Sequence, residues 1–172
     1  MIDLMNKAVT PREFNNQYDL LPKGTYNCQI ITVGEWKPKQ NTTLKVFEFD
    51  DSARKVKDAK GNDKYSVLKD VTTYSAQIVF EVMEGTFKGV KVYYYLNLHP
   101  NQPWAVPAFL SACGITDEVH PREIESLCKG SLVAVTVETE TYNKEIEDKT
   151  TGAVTIEERE RNTVKRIKPY SL

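Results

Sequence analysis

Val90-Lys91-Val92-Tyr93-Tyr94-Tyr95-Leu96-Asn97-Leu98 is the stretch that decides the fold. Val90, Val92, Tyr94, Leu96 and Leu98 fall on one side; Lys91, Tyr93, Tyr95 and Asn97 fall on the other, and His99 continues that second side. A period of two marks a strand with one face on a core and one in solvent. Gly85-Thr86-Phe87-Lys88-Gly89, just before it, reads as a turn bracketed by two glycines. Before that, Tyr74 to Met83 alternates again, with Ala76, Ile78, Phe80 and Val82 on one face. Two strands joined by a tight turn are therefore the centre from which the rest is read.

Toward the N-terminus, Gly24 to Trp36 is rich in strand formers after the break at Pro22-Lys23-Gly24. Tyr26, Cys28 and Ile30 share one face, but Ile31 and Val33 take the other. Such a phase change predicts a bulge or sharp bend of the kind that curves a strand into a barrel. Residues 37–73 read as a long hairpin arm: Val46–Phe49 and Tyr65–Thr72 flank a polar tip at Lys60-Gly61-Asn62-Asp63. Residues 1–20 are expected to form an N-terminal extension.

Toward the C-terminus, Val106, Phe109, Leu110 and Cys113 have the spacing of one buried helix face, ended by Gly114. Pro107 is tolerable only in the first turn, so the helix starts near Trp104. A second short helix runs from Pro121 through Ile124, Leu127 and Cys128 to Gly130. Ser131–Tyr142 is a strand with Val133, Val135 and Val137 inward, residues 143–161 are a second arm with a tip at Lys149-Thr150-Thr151-Gly152, and Asn162–Lys168 is the last strand. The whole chain, 1–172, is read as one mainly β domain. Five principal strands with helix between the third and fourth is the order of an OB-fold, a Greek-key barrel that binds oligonucleotides on its second and third strands. A β-sandwich would want more strands and less helix.

Composition bounds the function. The 172 residues carry a formal net charge of −1, with 40% hydrophobic and 27% charged residues, ordinary for a globular domain of one core. No apolar run reaches the roughly 20 residues of a membrane span, and Met1–Lys7 lacks the apolar centre of a signal peptide, so the expected location is a cytoplasm. Three widely spaced cysteines argue against a disulfide framework. The near-zero balance argues against a uniformly basic coat, so any polyanion site must gather its charge locally. Residues 1–73 sum to +2, 74–114 to 0, 115–130 to −2 and 131–172 to −1. Arg54, Lys55 and Lys57, with Lys60, form one basic concentration, and Lys165, Arg166 and Lys168 form another.

The outward side of the deciding strand carries the sharpest candidate site. Tyr93 and Tyr95 are two residues apart, hence roughly 7 Å apart on one face, beside Lys91 and His99. Neighbouring unstacked bases can each find a ring at that spacing, and base–aromatic stacking is indifferent to base identity. Lys91 beside them would neutralise a phosphate. The competing reading has these rings covered by the arms or helices, since tyrosine is a good strand former. Trp36-Lys37-Pro38-Lys39 mixes an aromatic with two bases where the first loop opens; Trp36 is either a groove wall or a barrel cap. Phe47, Phe49 and Tyr65 read as cross-strand stiffening of the first arm. Lys165 and Arg166 would extend a basic track on the last strand.

Signals for chemistry are poor. Cys28, Cys113, Cys128, His99 and His120 show no zinc spacing, and no phosphate-binding glycine motif or nucleophile elbow occurs. Glu157-Glu158-Arg159-Glu160-Arg161 reads as a solvated charge run. The expectation is a non-enzyme without metal or cofactor.

Val79–Val92, with its Gly85-Thr86-Phe87-Lys88-Gly89 turn, followed by Leu96-Asn97-Leu98-His99, resembles a bacteriophage protein family of single-stranded DNA-binding type. The helix end Ala112-Cys113-Gly114, the opening Leu21-Pro22-Lys23-Gly24-Thr25-Tyr26 and the closing Asn162-Thr163-Val164-Lys165-Arg166-Ile167 are similar to it as well. The resemblance covers roughly residues 21–36 and 74–170 and implies an OB-fold protein of a phage replication or recombination module, in the host cytoplasm, that protects single strands. The long 37–73 arm departs from the family pattern, and the C-terminus lacks the acidic tail by which housekeeping single-strand binders recruit partners. The expectation is sequence-independent binding of single-stranded DNA, with phage replication or recombination proteins and a second copy of the chain as further partners. A phage structural or adaptor protein, an RNA binder and a nuclease are the rivals.

Overall fold

The computed structural model describes residues 20–170. Its elements run β1 (Gly24–Val33), β2 (Lys37–Phe47), β3 (Tyr65–Val82), β4 (Lys91–Leu98), α1 (Ala105–Ala112), a 3-10 turn (Pro121–Glu123), α2 (Ile124–Cys128), β5 (Leu132–Glu147) and β6 (Val154–Pro169). All strands belong to one antiparallel sheet. The strands pair as β4–β3–β1–β5–β6, and β2 pairs the first half of β3. Tyr74 and Ser75 have partners in both β2 and β4, so β2 and β4 lie on opposite edges of β3. β2 therefore follows β1 along one edge, separated by Gly34-Glu35-Trp36 and linked by the Gly34 N–H donating to the Gln77 carbonyl at 2.8 Å.

The phase change in β1 is a bulge: pairing with β3 shifts between Ile30 and Thr32, which returns Val33 to the core at 6% exposure. The core is one cluster. Ile30, Ile78, Phe80, Leu96, Phe109, Val133, Val135 and Val137 are all buried in it, together with Leu21 from the segment before β1. Each large side chain so buried contributes about 1.5–3 kcal/mol. Helix α1 caps the cluster with Ala105, Phe109 and Ala112, and its Val106, Leu110 and Cys113 pack at the margin. Gly85 and Gly89 adopt φ of +80° and +92°, a region that glycine enters without steric cost and that the tight turn into β4 requires.

Three features differ from the sequence reading. The strands expected at Tyr65–Thr72 and Tyr74–Met83 are one 18-residue strand, β3, with nothing at Thr73 to break it. The last strand likewise runs from Val154 through the second arm, so both arms are continuations of core strands. Among the described residues the sheet has six strands and is open, where a closed five-stranded barrel was expected: β4 and β6 come into contact without a ladder between them. The sixth strand is β2, which the sequence reading placed within the first arm.

The first arm is fastened at its far end. Its tip holds two successive turns in which Asp50 caps the N–H groups of Ser52 and Arg54, and Asp58 caps those of Lys60 and Asn62. Asn101, in the loop after β4, accepts from the Phe47 N–H at 2.9 Å and donates to the Lys45 carbonyl at 2.8 Å. Phe49 meets Trp104 edge to face at 5.9 Å. One side of the arm, including Thr72 and Tyr74, thus turns toward α1 across a groove of about 530 Å³. On the other side Lys37, Lys39, Lys45, Tyr65 and Lys69 are exposed, while Thr73 is buried.

Candidate nucleic-acid interface

The outward positions of β4 and its neighbours are set by parity. Ile78, Phe80, Val92 and Leu96 point into the core, so their neighbours Gln77, Val79, Lys91, Tyr93 and Tyr95 point out. Tyr93 is 52% exposed and Tyr95 60%, so neither ring is covered by an arm or a helix. Between them Tyr94 points inward, and burial pushes its phenol above the usual range. Tyr93 pairs across from Val79, and Tyr95 pairs across from Gln77, whose amide donates to the Tyr95 hydroxyl at 3.5 Å. Lys91 lies opposite Glu81. The two rings thus stand beside one apolar and one amide side chain, with the Lys91–Glu81 pair at one end.

Lys37 and Lys39 join this face through the register. Ser75 pairs with Asn97 on one edge and Lys37 on the other, so Asn97, Ser75 and Lys37 form the row next to Tyr95 and Gln77. Lys39, opposite Thr73, is the next lysine along. Both are exposed, and among the described residues neither is in a salt bridge.

The other sequence candidates lie elsewhere. Trp36 packs against the core margin and its indole N–H donates to the Pro121 carbonyl at 2.9 Å, so the ring is held as a prop. His99 is half-buried, and its Nδ1 accepts from the Asn101 N–H at 2.9 Å, which orders the loop that fastens the arm. Lys55 and Lys57 both contact Asp63 at the arm tip, and Lys55 also lies 4.0 Å from the Phe47 ring centroid. The Lys57 hydrogen bond, with both lysine charges nearby, holds the Asp63 carboxyl below its usual range. Arg54 sits beside them on the Asp50 turn and is exposed. Lys165 and Arg166 are on β6, at the far end of the strand path from β4; Lys165 leans on Glu138 at 3.8 Å, while Arg166 lies opposite Thr136.

The sequence reading missed the outward face of the arm itself. Lys45, Lys69 and Tyr65 have the same parity as Lys37 and Lys39 and are all exposed. The signal was present as the odd-numbered lysines of 37–45, but their common face with Lys69 emerges only once the register is known.

The second arm carries the opposite sign. Glu145, Glu147, Glu158 and Glu160 share one face of the β5–β6 ladder, with no basic residue among them. The other face pairs Arg161 with Glu140 at 2.5 Å and sets Arg161 over Tyr142. Among the described residues, no group of three or more His, Cys, Asp or Glu side chains is placed to hold a metal ion. Cys113 and Cys128 are neighbours at the helix margin, and the adjoining sulfur together with burial pushes the Cys113 thiol up. Cys28 is buried, and burial pushes its thiol up to about 12.

No protein-family model matches the chain. No curated protein matches it at a significant level. No helix among the described residues is long and apolar enough to cross a membrane.

Proposed function

We propose that the chain binds single-stranded DNA with little sequence preference and without catalysis, on the outward face of β4, β3 and the start of β2. The observation that carries this reading is the pair of exposed rings, Tyr93 and Tyr95, on a face whose charged neighbours are mainly lysines: Lys91, Lys37 and Lys39. Each ring stacks one base, a contact that every base can make. The lysines neutralise phosphates, which makes affinity salt-dependent. Arg54, Lys55 and Lys57 at the arm tip, and Arg166 on β6, are secondary phosphate contacts. The strand order β4–β3–β1–β5–β6 supports an OB-type barrel whose last ladder is left open. The resemblance to phage single-strand binders supports a role in phage replication or recombination within the host cytoplasm.

The test is a mobility shift with an oligothymidylate longer than the ~16 nucleotides that one such fold covers, competed by matched RNA. Retardation at low salt that RNA displaces less well than DNA is expected. Absence of a shift at low salt would sink the reading, and stronger displacement by RNA would reassign the ligand.

A further inference from the structure

The lysine-bearing side of the first arm shares the residue parity of the tyrosine face, on either side of Asp70, whose φ is +55°. Along β2 and the first half of β3, that side carries Lys37, Lys39, Lys45, Lys69, Phe47 and Tyr65. All four lysines of this ladder lie on it, and the ladder's one acid, Asp70, has the opposite parity. Two further facts set this side apart from an ordinary solvated face. It bears an exposed aromatic, Tyr65, at 52%. It is also held in place by Asn101 and by the Phe49–Trp104 contact, so it is a preformed platform and not a loose finger.

From these observations we infer that the arm is a second segment of the same nucleic-acid site, with Tyr65 as a third stacking ring and Lys45 and Lys69 as phosphate contacts. The inference rests on the single-stranded DNA reading and extends it to a path and a length. From Gln77 to Tyr65 along β3 the path covers roughly 40 Å at about 3.3 Å per residue. Lys45 Nζ now rests 4.0 Å from the Tyr65 ring centroid. Base stacking is stronger than an exposed cation–ring contact, so an arriving base displaces the ammonium, which then turns to the adjacent phosphate. The bound strand follows the β2–β3 arm away from the barrel, and the site is long for a single small β domain.

The experiment is a titration with oligothymidylates graded from ~4 to ~16 nucleotides, spanning the known range of site sizes. For the wild-type chain, affinity is expected to climb until the longest oligomers. A Lys45→Ala/Lys69→Ala/Tyr65→Ala variant is expected to lose roughly 10- to 100-fold on the longest oligomers, to stay within about twofold on the shortest, and to show a salt slope smaller by about 1.4. Lys69→Glu alone, which removes no observed contact, is expected to weaken only the long oligomers and guards against a folding defect. Equal affinity of wild type and triple variant on long oligomers, or equal losses at both lengths, overturns the arm segment while leaving the barrel site intact. A wild-type chain that binds no length overturns both.

Discussion

Replacing Tyr93 and Tyr95 together with alanine separates recognition from architecture, because both rings are exposed and neither belongs to the core cluster. Their exposures of 52% and 60% mean that more than half of each residue's surface is open to a ligand. If each ring stacks one base at about 1–3 kcal/mol, the double variant loses about 2–6 kcal/mol of binding. At 1.4 kcal/mol per tenfold, that is a drop of roughly 30- to 20,000-fold in affinity. Rings roughly 7 Å apart stack separate bases, so the single variants are expected to sum to the double within about 0.5 kcal/mol. Fluorescence titration with oligothymidylate reads the affinity, and thermal unfolding reads the fold. The competing structural role has a distinct signature. Tyr93 stands opposite Val79, which is only 9% exposed, so a ring that serves mainly to shield Val79 shows its loss in the melting temperature and not in binding. A double variant that melts lower but binds as wild type refutes the stacking platform.

Other perturbations follow from individual contacts. Asp63→Asn removes the carboxylate that Lys55 and Lys57 share, so affinity for single strands is expected to rise and the salt slope to steepen by about 0.7 for each lysine freed. Asn101→Ala deletes the bonds to Phe47 and Lys45, worth about 1 kcal/mol each, and hydrogen exchange of the Phe47 amide is expected to accelerate several-fold while the core stays protected. Trp36→Phe keeps the packing but loses the indole bond to Pro121, costing about 1 kcal/mol in denaturant unfolding with binding unchanged. The Cys28 thiol, raised by burial from 9.0 to about 12, stays neutral in the folded chain where the unfolded chain ionises. Its contribution is therefore complete below pH 9 and is lost between pH 9 and about 12, by up to ~1.4 kcal/mol per pH unit, which urea unfolding across that range would register.

Much of the sheet was legible because it rests on local alternation. The inward set of β4, the bulge implied by the Ile30–Val33 phase change and the helix ending at Gly114 each follow from side chains a few residues apart. Where the reading fell short, the deciding interactions were long-range. Continuity of β3 through Thr73 depends on β2 and β4 both pairing near Tyr74, through the distant partners Pro38 and Leu98. The missing ladder between β4 and β6 is a matter of backbone approach and leaves no mark in either strand's alternation. Trp36 could be read as wall or prop until Pro121 was seen beneath it. Charge shows the same limit: a net −1 conceals lysines gathered on one arm and glutamates gathered on one face of the other.

The central claim, a stacking face bordered by phosphate-binding lysines, is tested most directly by titrating the wild-type chain with oligothymidylate across a salt series. Lys91, Lys37 and Lys39 as phosphate contacts predict that log K falls linearly with log salt at a slope near −2, and steeper if the arm engages, with residual affinity at high salt from the stacked bases. No binding at low salt, or binding whose affinity does not change along the series, would contradict it.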